Sequence, residues 1–262
     1  MSFVENITNA IKIQIKSLMP VSLDKECEKA AETTKGFIFN DNMEVKNPII
    51  SPTTIKNAKG LVILTIGKAG ISFTIRGGSG VLITRLPDGT WSAPSAVKTG
   101  GFGIGSQFGA EIIELVMVLT NDEAIKNFRE LENITLGGNI SAAIGSLGIS
   151  AEASSTLKNA SAIISYGKSK GVYVGASVEG AVIQQNSDAN ALVYGKDVKS
   201  EDILTGKVEK PEFAKSLYDI LAKCEQTTKN SIEAKPDEKK IEDSSDINNL
   251  NKEEPSENRK TV

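Results

Sequence analysis

No histidine occurs anywhere in the 262 residues. Without imidazole there is no His general base, no Ser-His-Asp or Cys-His relay and no His-containing metal site. The two cysteines, Cys27 and Cys224, lie far apart. They cannot form a four-thiolate site, and nothing points to an oxidising compartment, so both read as reduced thiols in helices. No run of 18 apolar residues is present, and the N-terminus lacks a basic region followed by an unbroken apolar stretch. Neither a transmembrane helix nor a signal peptide is therefore expected, and the sequon at Asn6 carries no weight. The chain reads as intracellular, soluble or peripheral to a membrane. Its net charge of −3 supplies no global basic field, so contact with an anionic partner has to use a local patch.

What is present centres on Lys68 to Ala96. Leu86-Pro87-Asp88-Gly89 has the chemistry of a tight turn: Pro presets φ, Asp bonds nearby backbone and Gly accepts positive φ. Val81 to Thr84 precedes it and Thr90-Trp91 follows, which predicts a β-hairpin. The only tryptophan, Trp91, is expected to be a structural anchor. Around this stretch the apolar pattern alternates or runs continuously: Leu61 to Ile66, Ile71 to Ile75, Gly77 to Arg85, Thr90 to Lys98 and Ile112 to Leu119. Glycines alternate with bulky apolar residues from Gly100 to Gly109, which fits a sharply bent strand or a close backbone neighbour. Further strands are predicted over 134–144, 149–155, 161–167, 172–178 and 181–185.

Helical spacing appears at both ends. Phe3, Ile7, Ile11, Ile15 and Leu18 form an apolar stripe over residues 2–19, with Lys12 and Lys16 off it and Pro20 ending the pattern. This helix either packs on the domain or lies in a membrane interface. A second helix is predicted over 23–38 behind Ser22, a short one after Ser51-Pro52, one from Asn121 to about Glu130, short ones at 187–193 and 200–205, and a last one over 212–223. Residues 226–262 hold seven basic and nine acidic residues and no aromatic, so they are expected to be a disordered polar tail. The fold expected is α+β: a curved, mostly antiparallel, barrel-like sheet over about 58–210, helices over about 2–38 and 212–223, in one domain of residues 1–225.

Enzyme-like signals are weak. Gly167-Lys168-Ser169 ends a near-match to a phosphate-binding loop, but Ala162 replaces the first glycine and the intervening residues are bulky. The glycine clusters at 77–80 and 100–109 miss the dinucleotide spacing. Glu111, Glu114, Glu152 and Glu179 sit in strand segments, where carboxylates paired to Arg or Lys are the expectation. No enzyme activity, metal or cofactor is predicted.

The residues Lys68-Ala69-Gly70, Phe73, Arg76, Gly78-Ser79-Gly80, Arg85, Asp88-Gly89, Trp91-Ser92 and Pro94-Ser95-Ala96 carry a resemblance. So do Leu136 to Asn139, Lys168 to Gly171, Ser177 to Gly180 and Tyr194-Gly195. Together they resemble the SYLF domain, a lipid- and actin-associated domain of endocytic proteins, in the family's order over roughly residues 10 to 222. Family members often carry an SH3 or FYVE module beside it, and none is read in these residues.

The resemblance implies a non-enzymatic domain that binds phosphoinositide membrane and actin filaments. It places the protein in the cytoplasm, at the plasma membrane or cortical actin patches, in endocytosis and cytoskeletal organisation. It also implies an N-terminal lipid-binding segment. Phosphoinositide head groups need converging cations and N–H donors. Lys68, Arg76, Arg85, Lys168 and Lys170, beside glycine turns, are the candidates, with Lys12 and Lys16 on the first helix. Phe3, Ile7, Ile11, Ile15 and Leu18 are the candidate insertion residues. The alternative is a soluble carrier holding a lipid or other apolar ligand in a β-rich cavity. If the first helix lies in the membrane, insertion outweighs charge, since a large buried side chain contributes about 1.5–3 kcal/mol and a surface cation about 1 kcal/mol. Liposome co-sedimentation then shows Ile7→Asp with Ile11→Asp abolishing binding and Lys12→Ala with Lys16→Ala only weakening it.

Overall fold

The computed structural model describes residues 21–40, 42–130, 134–137, 139–142, 149–152 and 163–233. The stripe of Phe3, Ile7, Ile11, Ile15 and Leu18 and the two lysines beside it lie outside these residues, as does the chain after Glu233. Helix α1 (Leu23–Ile38) begins behind Ser22, whose carbonyl accepts from the Glu26 N–H at 3.1 Å. Helix α2 (Pro52–Asn57) starts with Pro at its first turn, and Ser51 Oγ accepts from the Thr54 N–H at 3.2 Å. Three long strands follow: β1 (Gly60–Thr84), β2 (Ser95–Leu119) and β6 (Ile163–Gln185). Between the last two come helix α3 (Asp122–Glu130) and short strands β3 (Ile134–Gly137), β4 (Asn139–Ala142) and β5 (Ile149–Glu152). Asn121 Oδ1 caps α3 by accepting from the Ala124 N–H at 2.8 Å. Helices α4 (Ser187–Tyr194) and α5 (Ser200–Leu204), one 3-10 turn (Glu212–Ala214) and helix α6 (Lys215–Glu233) complete the described chain.

The fold is α+β. An antiparallel sheet of four strands runs in the order β1-β2-β6-β3, and β4 pairs with β5 separately. Two expectations are corrected. Among the described residues the sheet does not close into a barrel, because β1 and β3 stand at opposite ends of the strand order. The short strands read over 61–119 and 161–185 are in fact three long ones, whereas those read within 134–144 and 149–155 appear as the short β3, β4 and β5. Glycines that read as strand ends lie within continuous ladders, since a glycine keeps both backbone hydrogen-bonding groups. The hairpin turn is as expected. Leu86 N–H donates to Thr90 O at 2.7 Å, Asp88 Oδ1 accepts from the Thr90 N–H at 2.8 Å, and Gly89 has φ +84°.

Strand β1 doubles back on itself. Ser72 has φ 61° at the reversal, where the β1–β2 register also shifts. Beyond it the two arms adjoin: a side chain on Gly80 would strike the Ile63 carbonyl, and one on Gly78 the Thr65 carbonyl. Only glycine permits so close an approach. At the open end of this fold-back the Arg85 N–H donates to Lys59 O at 2.7 Å.

Both faces of the sheet are covered near the hairpin, which is why Leu61 to Leu64 is continuously apolar and buried. On one face Leu61, Ile63, Val81 and Ile83 pack with α1 and α6 through Cys27, Phe37, Leu217 and Leu221. On the other, Val62, Leu64, Leu82 and Met117 pack with Ile125 and Phe128 of α3. Trp91 is 6% exposed within the first cluster, as expected of an anchor. Cys27 and Cys224 are free, buried helix residues, and burial pushes each thiol up to about 12.

Helix α6 outruns its predicted end at 223 by ten residues. Its late turns stay helical because their hydroxyls are satisfied within the helix: Thr227 Oγ1 donates to Lys223 O at 2.9 Å and Thr228 Oγ1 to Cys224 O at 3.0 Å. Thr228 is also buried. A chain ending at Glu233 should therefore keep the full-length melting temperature. Ending it at Glu225 should lower that temperature measurably, because the helix then stops one turn after Leu221, beside the Arg85 contact.

Candidate functional site

Side chains alternate across a strand, so the face that begins with Leu64 and Ile66 next presents Lys68. By the same alternation β2 brings Glu111 after Ile113, β1 brings Arg76 before Leu82, and β6 brings Glu179 before Ala181 and Ile183. All four are buried, between 0% and 4% exposed. Lys68 and Glu111 are direct cross-strand partners in a row with Gly171, whereas Glu179 stands in the row of Gly103 and Thr74. Eight positions of β6 separate those rows, about 26 Å along a flat strand. Yet Lys68 Nζ lies 2.6 Å from Glu179 Oε1. The sheet is bent between the rows, and the ion pair bridges the bend.

Lys68 Nζ also lies 3.5 Å from Glu111 Oε1 and 3.9 Å from the centre of the Tyr173 ring. Arg76 Nη1 is 3.6 Å from Glu179 Oε2. The Tyr173 hydroxyl donates to Gln107 Oε1 and lies 3.5 Å from Thr74 Oγ1. Two cations thus face two carboxylates in a protein-enclosed space. Glu111 is the less well matched acid. Among the described residues neither of its oxygens accepts a hydrogen bond, and burial pushes its carboxyl above the ordinary value against the opposing pull of Lys68.

Arg85 is elsewhere. Its Nη1 donates to Glu225 Oε1 at 2.7 Å and to Gly89 O at 2.9 Å, its Nη2 donates to the Ile55 and Lys56 carbonyls at 3.3 Å each, and its guanidinium lies 3.9 Å from the Trp91 ring. It ties α2, the hairpin turn and α6 together. Lys168 is half-buried and Lys170 exposed on the outward side of β6. Gly167-Lys168-Ser169 lies in mid-strand, opposite Leu115, Glu114 and Ile113, so its backbone belongs to a ladder and forms no phosphate-binding loop.

The structure therefore brings Lys68 and Arg76 together around Glu179, and sets Arg85, Lys168 and Lys170 apart from them. Lys12 and Lys16 lie outside the described residues. The pairing of Glu111 and Glu179 with basic residues matches expectation, while the joining of Lys68 to Arg76 through Glu179 was missed. The shared parity with neighbouring core residues was the available signal. No group of three potential metal ligands occurs among the described residues, and no helix there is long and apolar enough to cross a membrane.

Residues 100–224 match the family profile described as Ysc84, Las17-binding protein actin regulator. The chain belongs to the Ysc84, or SYLF, family. Protein YSC84 of Saccharomyces cerevisiae is 44% identical over 209 residues, 79% of this chain and 45% of the relative. LAS seventeen-binding protein 3 of the same yeast is 42% identical, over 79% of this chain and 46% of the relative. The human SH3 domain-containing YSC84-like protein 1 is 40% identical over 78% of this chain and 59% of its own length. The chain thus spans about half the length of its yeast relatives. No solved structure matches it. The Ysc84 family is one of actin regulators, and no enzyme family is indicated. Its profile here covers most of β2, all of β6 and the first half of α6, including Glu111, Glu179 and Tyr173.

The four buried charges give this Ysc84-family chain a testable electrostatic core. Glu179 contacts both cations, so Glu179→Gln should destabilise by about 3–5 kcal/mol, the usual cost of leaving buried charge unpaired. Glu111 behaves differently. With its folded-state value raised, the contribution of this carboxyl is fully present below the ordinary glutamate range and is lost as pH rises through the raised folded value. Glu111→Gln removes that loss, so its stability relative to the unaltered chain should improve as pH rises from about 4 to 7. Urea denaturation across that range measures both effects.

Proposed function

We propose that this chain is a non-enzymatic binding domain that links phosphoinositide-bearing membrane to actin filaments in endocytosis or cortical actin organisation. The observation that carries the reading is the match of residues 100–224 to an actin-regulator family, with relatives aligned over nearly four-fifths of the chain. A partner of the Las17 kind, named in the family description, belongs to the same proposal. So does a cytoplasmic, membrane-peripheral location. On the membrane side the reading is supported by Lys168 and Lys170, two cations near one another on the outward side of β6. Lys68, Arg76 and Arg85 enter it as residues that shape the domain, since each is held by carboxylates of this chain.

The carrier alternative needs an apolar cavity. Where the sheet bends, the space is instead occupied by the four charged side chains and Tyr173, so the geometry favours a surface that binds over a cavity that carries.

Co-sedimentation tests the proposal. The full chain should pellet with actin filaments and with phosphoinositide vesicles. Lys168→Glu with Lys170→Glu should weaken vesicle binding by more than about tenfold at low salt, given about 1 kcal/mol per cation, and by less at high salt. Failure to pellet with either filaments or vesicles would overturn the reading.

A further inference from the structure

At the bent end of the sheet the outward face carries large apolar side chains that nothing among the described residues covers. Three cross-strand rows make it up: Ile71, Phe108 and Val174; Phe73 and Ile104; Ile75 and Phe102. These side chains are 41% to 70% exposed, and Val172, two residues before Val174, is 62% exposed. Contiguous apolar exposure on this scale marks an interaction surface.

We propose that this bent end inserts into an anionic lipid bilayer, its apolar rows entering the edge of the hydrocarbon while Lys98, Lys168 and Lys170 lie among the head groups. The proposal rests on the membrane half of the function above and assigns that half to a surface.

The placement of charge selects a bilayer as the occupant. Alternation puts Lys98 on the outward side of β2, four residues behind Phe102, about 13 Å along the strand. On β6, Lys170 follows the same side two residues behind Val172, about 7 Å away, with Lys168 a further two residues back. Lys98 lies on the arm of the bend that holds Phe102 and Ile104, and the other two lysines lie on the arm that holds Phe108 and Val174. An apolar tip with cations set back on both sides matches the layering of an anionic membrane, hydrocarbon inside and phosphate outside. Within the tip rows the outward positions carry no charge. Among the described residues, the outward carboxylate on these strands is Glu114, which stands in the row of Lys168, behind the tip. None of the three lysines forms an ion pair there. The tip is also braced from within, since Lys68 and Glu179 close the bend directly behind it. A preformed surface inserts without a large ordering cost.

The test uses the full chain and vesicles of phosphatidylcholine with and without phosphatidylserine. Phe102→Asp with Ile104→Asp should weaken binding to the anionic vesicles by more than about tenfold, since two large apolar insertions are lost. Both side chains are mostly exposed, so the melting temperature should hold. Phe102→Trp supplies a direct probe: its emission should shift to the blue on anionic vesicles, while buried Trp91 contributes a constant background. Three results would overturn the inference. One is unchanged vesicle binding by the Asp variant while Ile7→Asp with Ile11→Asp abolishes it, which leaves the membrane reading intact and moves insertion to the first helix. The second is a dimer that the Asp variant converts to monomer with lipid binding unaltered, which makes the face a contact between copies. The third is failure of the unaltered chain to bind either vesicle, which removes the membrane reading itself.

Discussion

The contact between Lys68 and Glu179 holds the two arms of the sheet against one another. Without it the rows that carry these residues would lie far apart along β6, leaving Lys68 with Glu111 alone on one arm and Arg76 with Glu179 alone on the other. Burial of an ionic group costs several kcal/mol unless a partner sits close by. The bend joins these two pairs into one buried cluster through Lys68 and Glu179, and the cluster marks where the bend falls. Glycines on the same inner face complete the arrangement. At Gly78 and Gly80 the backbone of the opposite arm occupies the place a side chain would take.

The same bend divides the molecule into two ends of different character. Near the hairpin, helices α1, α2 and α6 cover the outward face, and α3 covers the inward one. There Leu61 to Leu64, Gly80 to Thr84 and Leu115 to Leu119 are all buried, with apolar residues on both faces. At the bent end the inward face is polar and filled, and the outward face is apolar and exposed. That inversion is unusual for a sheet in water, because apolar outward rows gain nothing from solvent. It is the arrangement that the bilayer insertion proposed above requires, with interior charges bracing the bend from behind.

The fates of the basic residues follow from register. Lys68 and Arg76 look on the chain like anion-binding cations beside glycines. Their parity places them inward, where Glu111 and Glu179 meet them. Arg85 falls where the strand leaves the sheet, so its guanidinium reaches three helix-end carbonyls, a turn carbonyl and Glu225. Lys168 and Lys170 have the opposite parity on β6 and face out. A glycine beside a cation does not distinguish these cases, whereas the neighbouring core residues two positions away do.

Much was legible in the chain alone. The helices at 23–38 and 52–57, the cap at Asn121, the Leu86 to Gly89 turn, the buried Trp91 and the antiparallel β-rich core follow from local chemistry: capping oxygens, proline and glycine backbone limits, and apolar periodicity. The family resemblance was likewise written in local motifs. Tertiary structure alone decided the rest. Strand lengths were misread because glycine interrupts a pattern without interrupting a ladder. The end of α6 was misread because polar helix residues gave no apolar signal, while their hydroxyls bonded within the helix. The absence of barrel closure and the meeting of Lys68 with Glu179 depend on which edges and rows the bend brings together. That is a property of the whole sheet, fixed by long-range packing, and no window of the sequence contains both partners.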